Sequence, residues 1–362
     1  MAEPAGSLPS AAATPRPLLR VAELARYFDA SPPFLNRLLL GGRRRALKAV
    51  DGVSFAIPRG QTLSLVGESG CGKSTVARLI VGLYRPTRGT IEFDGQDVSL
   101  LRKERDVRAL RRRFQIIFQD PFASLNPRWR VRDIIAEPIR VHGLVRGRAA
   151  IRARTEELLA QVGLSAADGG KYPHEFSGGQ RQRISIARAL ASAPEFLVCD
   201  EPTSALDVSV QAQILNLMKD LQARLGLTYL FISHNLAVVN HMSDQVGVMY
   251  LGRLCEIAEA KTLFRRPLHP YTRLLLETIP DLELSGRPRV PVAGEVPSPI
   301  DPPPGCSFHP RCPFANERCR RERPELHLHE GDLVACHAVE EGRLPAVEAQ
   351  SPSEPLTTRS EA

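Results

Sequence analysis

The stretch Gly67-Glu68-Ser69-Gly70-Cys71-Gly72-Lys73-Ser74, followed by Thr75, decides the fold of this chain. It has the spacing of a phosphate-binding loop, in which glycines let successive backbone N–H groups turn inward around an anion. The residues before it, Gln61 to Val66, predict a buried strand, and Val76 to Leu83 predict a helix whose N-terminus adds partial positive charge. Lys73 is therefore predicted to contact the β- and γ-phosphates of a nucleotide, and Ser74 to bind Mg²⁺.

The composition is that of an ordinary globular protein. The chain has 362 residues, of which 43% are hydrophobic and 24% charged. No stretch reaches the roughly 18 uninterrupted apolar residues of a membrane-spanning helix, and the N-terminus lacks the pattern of a signal peptide. We therefore expect a cytoplasmic protein that reaches a membrane only through partners. The net charge is +8, but the basic clusters lack interleaved aromatic residues, so no nucleic-acid partner is expected.

Polar side chains stand at the ends of three further predicted strands. Arg113 to Phe118 ends at Gln119, Phe196 to Cys199 at Asp200 and Glu201, and Thr228 to Ser233 at His234. The carboxyl ends of parallel strands are where such sheets bind ligands. Buried carboxylates are costly unless a metal ion or bound water justifies them. Asp200 is predicted to hold Mg²⁺, Glu201 to polarise an attacking water, and His234 to contact the γ-phosphate.

A second glycine-containing turn, Ser177-Gly178-Gly179-Gln180, precedes a predicted helix from Arg181 to Ala191. This arrangement predicts a second anion site at a helix N-terminus. The segment Ser204 to Asp207 follows the predicted carboxylate pair closely, and Val208 to Leu225 predicts an amphipathic helix. The chain thus carries two anion-binding helix ends but only one lysine-containing loop.

The N-terminal part begins with a predicted edge strand from Leu19 to Ala25. Tyr27 and Phe28 follow it. An aromatic ring at this place is suited to stack on adenine, although the residue pattern alone is equally compatible with a core aromatic.

With these residues in place, the chain resembles the ABC ATPase family from about Leu19 to Leu276. The resemblance rests on the following correspondences: the loop at 67–74 with Walker A, Gln119 with the Q-loop, Phe176 to Gln180 with the signature, Val198 to Glu201 with the end of the Walker B strand, Ser204 to Asp207 with the D-loop, and His234 with the switch histidine. Within the signature, Phe176 stands where this family more usually has leucine.

The resemblance implies an α/β fold: a RecA-like P-loop NTPase core, an antiparallel β subdomain, and a helical signature subdomain at about 125–190. It implies that Glu201, His234, Gln119 and Lys73 act in ATP hydrolysis. It further implies that Mg²⁺ is bound by Ser74, Gln119 and Asp200. The implied ATP contacts are Tyr27, with Phe28 as the alternative ring, Gly67 to Thr75, Gln119, Ser177, Gly178, Gly179, Gln180 and Asp207.

The family resemblance also implies an assembly. Two such domains pair head to tail, with ATP between Lys73 of one and the Ser177–Gly179 turn of the other. A groove near Gln119–Glu137 receives a cytoplasmic helix of a membrane partner. This implies a peripheral location at the cytoplasmic face of the cell membrane.

Three segments carry a narrower resemblance to the dipeptide/oligopeptide importer subfamily: Phe118 to Arg128, Leu268 to Leu275, and Gly294 to Pro304. The chain looks more like the second ATPase chain of such importers. This implies a sister ATPase chain, two transmembrane permease subunits and an external peptide-binding protein. Two alternatives stay open: import of another small solute such as a nickel chelate, and a non-transport ABC ATPase acting on nucleic acid.

The C-terminal part contains four cysteines, Cys306, Cys312, Cys319 and Cys336, spaced C-x5-C-x6-C-x16-C. Little apolar sequence lies between them, so a metal is predicted to hold this segment together. The spacing matches neither common zinc nor common ferredoxin patterns and leaves zinc and iron–sulfur open. Nearby histidines are substitute ligands, and unmetallated thiols are the alternative. The importer resemblance implies a [4Fe–4S] cluster.

Four regions are predicted from these patterns. Residues 1–18 form a disordered tail, 19–276 the ATPase domain, 277–340 a small cysteine-rich module and 341–362 a second disordered tail.

Overall fold

Two β-sheets and the helices around them form the protein in the computed structural model, which describes residues 16–31, 45–99, 101, 103–277 and 295–345. The described strands are β1 (Leu19–Asp29), β2 (Ala46–Ile57), β3 (Thr62–Val66), β4 (Arg88–Phe93), β5 (Gln96–Asp97), β6 (Phe114–Ile117), β7 (Phe196–Asp200), β8 (Thr228–Ile232), β9 (Gln245–Tyr250), β10 (Arg253–Glu259), β11 (His327–His329) and β12 (Asp332–Val334). The described helices are α1 (Lys73–Ile80), α2 (Glu104–Arg113), α3 (Pro121–Ser124), α4 (Val131–His142), α5 (Arg148–Gln161), α6 (Gly178–Leu190), α7 (Val208–Leu225), α8 (Leu236–Met242), α9 (Ala260–Arg265), α10 (Pro270–Glu277), α11 (Glu317–Arg321) and α12 (His337–Glu340). The predicted tails lie outside the described residues except for 16–18 and 341–345.

The smaller sheet is antiparallel and has the strand order β2-β1-β4-β5. β1 pairs with β2 on one side, where Leu19 faces Ile57, and with β4 on the other, where Leu19 faces Phe93. The prediction of an edge strand at Leu19 to Ala25 is therefore wrong. Strand pairing depends on partners distant in sequence, so the alternation within β1 could not reveal that both of its edges are covered.

The larger sheet has eight strands in the order β11-β12-β10-β9-β3-β8-β7-β6. The pairs of β3 with β8 and β9, and of β7 with β6 and β8, are parallel. Every residue of β3, β7 and β8 is buried, as expected for parallel strands covered on both faces. Leu65 and Asp200 both pair with Ile232, so these three strands end side by side at one edge.

A helical part stands at the β6–β7 side of the larger sheet. Helices α4, α5 and α6 fall within the range 125–190 predicted to be helical, and their apolar faces share one cluster with the strand residues Ile117, Leu197 and Cys199. Helix α7 has 18 residues and buries Ile214 and Met218 in the same cluster. Within the described ranges, no helix is both long and apolar enough to cross a membrane.

The C-terminal residues extend the larger sheet. β12 pairs antiparallel with β10, where Glu256 faces Val334, and β11 pairs with β12. Phe308 is 2% exposed and belongs to an apolar cluster with Tyr250 and Tyr271. A cysteine-rich module separate from the ATPase core is therefore not supported. The prediction assumed that this segment could bury little surface of its own, whereas Phe308 and Val334 are buried and β12 pairs with β10 of the core.

Candidate functional site

The phosphate loop joins β3 to α1, as the sequence predicts. Gly67 and Gly72 have φ values of 147° and 108°, in the region that favours glycine. Side chains would also collide there, because a Cβ on Gly67 would lie 2.2 Å from the Met249 carbonyl oxygen, and one on Gly72 would lie 2.1 Å from that of Ala49. The loop is thus held tightly against β9 and β2, with its N–H groups at the start of a helix.

Lys73 is the first residue of α1 and is only 6% exposed. Its Nζ donates to the carbonyl oxygens of Gly67, at 2.7 Å, and of Glu68, at 3.0 Å. These bonds hold the ammonium group across the mouth of the loop. A compact cation in this position suits the phosphates of a nucleotide.

Ser74 and Asp200 form an oxygen pair at the same edge. The Ser74 hydroxyl donates to Asp200 Oδ1 at 2.9 Å, and Asp200 is 5% exposed. Burial raises the pKa of Asp200, and the hydrogen bond from Ser74 opposes that rise. Hydroxyl and carboxylate oxygens are ligands that Mg²⁺ accepts, so these two residues fit the predicted magnesium site. Gln119, the third predicted ligand, contacts Glu201 rather than this pair.

Glu201 is held between two polar side chains from neighbouring strand ends. Its Oε2 accepts a hydrogen bond from Gln119 Nε2 at 3.0 Å, and its Oε1 lies 3.2 Å from His234 Nδ1. The backbone of Glu201 has φ of 48°, an unusual value for a residue with a side chain. The structure therefore brings together Glu201, Gln119 and His234, three of the four residues predicted for catalysis, beside the oxygen pair. Lys73, the fourth, lies in the phosphate loop. A carboxylate oriented in this way can position a water molecule and accept its proton.

Tyr27 and Phe28 point to opposite sides of β1, as successive strand residues do. The Tyr27 hydroxyl donates to Asp51 Oδ1 at 2.5 Å, whereas Phe28 packs edge-on against Tyr84 with ring centres 5.5 Å apart. Asp51 lies near the phosphate loop, because its N–H donates to Gly252 O and the Gly252 N–H donates to Cys71 O. Tyr27 is therefore on the side of β1 that leads to the loop, and its contact with adenine stays a prediction.

The second glycine turn caps α6. The Ser177 hydroxyl accepts from Gln180 N at 3.3 Å, and Gln180 Oε1 accepts from Ser177 N at 3.0 Å, which makes a capping box. A Cβ on Gly179 would lie 2.4 Å from Val210 of α7, so glycine permits this close contact. Asp207 is the residue before α7. The turn is thus a helix N-terminus packed against the start of α7, and its ATP contact stays a prediction.

The four C-terminal cysteines lie close together. Burial raises the pKa of Cys306 to about 12, and the neighbouring Cys336, Cys319 and Cys312 add to the rise. However, no group of three or more His, Cys, Asp or Glu side chains in the described part of the chain is arranged to hold a metal ion. The predicted iron–sulfur or zinc ligand set is therefore not supported. Sequence spacing reports proximity along the chain, whereas a metal site requires convergent ligand directions.

Sequence reasoning missed the partners of Glu68. Its carboxylate receives both terminal nitrogens of Arg311, at 2.7 and 2.9 Å, and its N–H donates to the Tyr271 hydroxyl at 2.9 Å. Tyr271 lies in one of the segments that resemble the importer subfamily, and no sequence pattern links it or Arg311 to the loop. Their separation from Glu68 is 203 and 243 residues, respectively.

Two family models match the chain. One, described as ABC transporter, covers residues 50–204, and the other, described as oligopeptide/dipeptide transporter C-terminal region, covers residues 255–319. The first spans the phosphate loop, the signature and Glu201. Together with the site geometry, it defines this chain as an ATPase of the ABC transporter class.

Similar proteins indicate more specifically which kind of ABC transporter ATPase this chain is. The chain is 53% identical over 325 residues to the putative oligopeptide transport ATP-binding protein YkfD of Bacillus subtilis, covering 89% of this chain and 95% of the relative. It is 48% identical to the di/tripeptide transport ATP-binding protein DppF of Pseudomonas aeruginosa, covering 90% and 98%. The structure of cbiO1 from Clostridium perfringens, part of an ABC transporter complex, is similar with a TM-score of 0.58, 28% identity and coverage of 68% and 90%. The chain belongs to the ABC transporter family, among the ATP-binding proteins of its oligopeptide and dipeptide transporters.

Proposed function

We propose that this chain hydrolyses ATP to drive the import of dipeptides or oligopeptides across the cytoplasmic membrane. The observation that carries the proposal is the position of Glu201, held by Gln119 and His234 beside the Ser74–Asp200 pair. Peptides are proposed as the transported solute because relatives about 50% identical over most of the chain are named as peptide transport proteins. The match of residues 255–319 to the oligopeptide/dipeptide transporter C-terminal region also supports this proposal.

In the proposed reaction, water attacks the γ-phosphate in line with the leaving ADP. Glu201 orients the water and takes its proton, while Gln119 and His234 fix the carboxylate. Lys73 stabilises the charge that spreads over the phosphate oxygens. Ser74 and Asp200 would hold Mg²⁺, which neutralises phosphate charge when bound.

The proposed active form is a head-to-tail pair in which the Ser177–Gly179 turn of one ATPase chain completes the ATP site of the other. Two features support it. The turn is a helix N-terminus suited to phosphate, yet it packs against α7 of its own chain. In addition, Val208, which follows Asp207, is 83% exposed and therefore accessible to a partner chain. We propose a sister ATPase chain as the partner.

A groove of about 560 Å³ between the core and the helical part is the proposed docking site for a permease helix. Its apolar lining includes Leu83 and Val141, which are 52% and 46% exposed. Its polar lining includes Glu137 of α4 and Arg108 and Arg111 of α2. An amphipathic helix with one apolar face fits such a groove. Docking there would place this chain at the cytoplasmic face of the membrane, near two permease subunits and an external peptide-binding protein.

The test uses three variants in the assembled transporter reconstituted in vesicles. Glu201→Gln is expected to bind ATP and nearly abolish both hydrolysis and peptide uptake, because the amide cannot accept the proton. Lys73→Ala is expected to fail earlier, at nucleotide binding. Glu157→Gln, which changes an exposed carboxylate on α5, serves as the matched control. Rapid turnover in Glu201→Gln would contradict the assigned role.

The transported solute is tested separately. Uptake of labelled di- and oligopeptides driven by ATP would support the peptide proposal. Uptake of a nickel chelate without peptide uptake would replace it. Salt-dependent DNA binding by the purified chain would instead favour the nucleic-acid alternative.

A direct measurement decides the metal prediction for the four cysteines. Iron, zinc and acid-labile sulfide are measured per chain on protein purified without oxygen. About four irons and four sulfides would establish a [4Fe–4S] cluster. About one zinc would make the site a structural staple. Absence of metal would agree with the arrangement of the described side chains.

A further inference from the structure

We propose that Arg311 is a positioning residue for the phosphate loop, acting through Glu68. The C-terminal region at 255–319 would then take part in ATP binding in addition to packing against the core. This inference rests on ATP binding at the loop, which is one part of the proposed function, and it does not depend on the transported solute.

The contact between the two residues is bidentate. Arg311 Nη1 lies 2.7 Å from Glu68 Oε2, and Nη2 lies 2.9 Å from Oε1. The Arg311 side chain is 3% exposed and that of Glu68 is 28% exposed. A paired guanidinium and carboxylate form charge-assisted hydrogen bonds with a fixed mutual orientation. Because water is largely excluded on the arginine side, this pair is more than a loosely held surface contact.

Glu68 is bound at three points. Its N–H donates to the Tyr271 hydroxyl at 2.9 Å, its carbonyl oxygen accepts from Lys73 Nζ at 3.0 Å, and its carboxylate accepts from Arg311. Both partners outside the loop, Tyr271 and Arg311, lie within the matched C-terminal region at 255–319. The position of the Glu68 carbonyl, and with it that of the Lys73 ammonium, is therefore set partly by this region.

The turn that carries Arg311 is itself fixed by packing. Phe308 precedes the short helical turn His309–Arg311 and is 2% exposed. Its ring lies 5.4 Å from those of both Tyr250 and Tyr271, measured between centres. The Arg311 guanidinium stands over the Tyr250 ring at 5.8 Å. An arginine supported in this way can hold the loop in place, because its own rotamer has little freedom.

The inference is tested on the full-length chain by titration with a fluorescent ATP analogue. Arg311→Gln removes the charge but keeps most of the length of the side chain. We expect it to weaken nucleotide affinity about tenfold, equivalent to about 1.4 kcal/mol. Arg311→Lys keeps the charge but loses the two-point contact and is expected to give an intermediate affinity. Arg318→Gln, which breaks ion pairs with Glu322, Glu340 and Glu341 of the same C-terminal region, is the matched control and is expected to bind as the unchanged protein does.

A double-mutant cycle identifies the route of the effect. Glu68→Gln should weaken binding by a similar factor, and Arg311→Gln combined with Glu68→Gln should be no worse than either single change. In the assembled transporter, Arg311→Gln is expected to raise the KM for ATP about tenfold while kcat changes less than about twofold. Thermal unfolding is recorded for each variant.

Two results would overturn the inference. One is nucleotide affinity unchanged in both Arg311→Gln and Arg311→Lys. The other is additive loss in the double variant, which would show that the two residues act independently. Failure of the unchanged protein to bind ATP would refute the proposed function itself and is thus distinguishable from either result.

Discussion

Replacing Asp51 by asparagine is expected to destabilise the region between Tyr27 and the phosphate loop. Asp51 is 5% exposed. Its carboxylate accepts the Tyr27 hydroxyl at 2.5 Å and two nitrogens of Arg253 at 3.1 and 2.6 Å. Arg88 and Arg323 stand 3.5 and 3.7 Å away. Asp51→Asn keeps the shape of the side chain and removes the one negative charge that these cations share.

The size of the expected loss in folding stability follows from the burial of the Asp51 carboxylate. Breaking a buried ion pair costs about 3–5 kcal/mol, because a charge is left without its partner. The cost is expected at the lower end of that range, since the side chains of Arg88 and Arg323 are 53% and 47% exposed and stay hydrated. We therefore expect a loss of about 3 kcal/mol, and a fall in unfolding temperature of about 4 °C for a protein of this size.

Thermal unfolding at pH 7 measures the effect, with Asp220→Asn on the exposed face of α7 as the control. Nucleotide affinity is measured in parallel, because Tyr27 loses part of its anchor. Affinity for an adenine nucleotide should fall more than affinity for a triphosphate with a smaller base, if Tyr27 stacks on adenine. An unfolding temperature within about 1 °C of the unchanged protein would refute the reasoning.

Three further outcomes are expected. Burial raises the pKa of Asp51, but hydrogen bonds from Tyr27 and Arg253 outweigh it and leave the pKa below its usual value. The stabilisation by the Asp51 carboxylate is thus present above its unfolded-state pKa and is lost as pH falls through its folded-state pKa. The unfolding temperatures of the unchanged protein and of Asp51→Asn should therefore approach each other as pH falls below about 4. Gly72→Ala should lower ATP affinity at least about 100-fold in a binding titration, because its Cβ would meet a carbonyl oxygen at 2.1 Å, whereas Gly60→Ala, with open space around it, should bind normally. Tyr229→Phe removes a buried hydrogen bond of 2.9 Å to Met218 O and should cost about 1–2 kcal/mol in chemical denaturation; an unchanged midpoint would contradict this value.

Local patterns predicted the strands and turns that carry the ATP site. Three apolar runs are predicted as strands: one before the phosphate loop, one before Asp200 and one before His234. All three form buried parallel strands, and their polar ends lie at one edge of the sheet. The helix at Val208–Leu225 has the predicted bounds. These features depend on short periodicities and on the steric need for glycine, both of which can be read from a few neighbouring residues.

Features that depend on distant contacts could not be predicted in the same way. The place of β1 inside its sheet, the pairing of β12 with β10 and the contact of Arg311 with Glu68 each join segments far apart in sequence. From the sequence alone, Arg311, which lies next to Cys312, could equally have been a hydrated surface residue. Arg311 faces inward next to the packed ring of Phe308 and in contact with Glu68 and Tyr250, and these contacts exist only in the folded chain.

The order in which the protein is synthesised gives the Arg311–Glu68 contact a further consequence. Chains emerge from the ribosome N-terminus first, so Glu68 is made 243 residues before the arginine that holds it. A nascent chain that has already formed β3 and α1 still lacks Arg311, Tyr271 and the strand that covers β10. Release of a shortened chain would leave that sheet edge bare and able to pair with other chains. The phosphate loop therefore acquires its full support only after Arg311 has been translated.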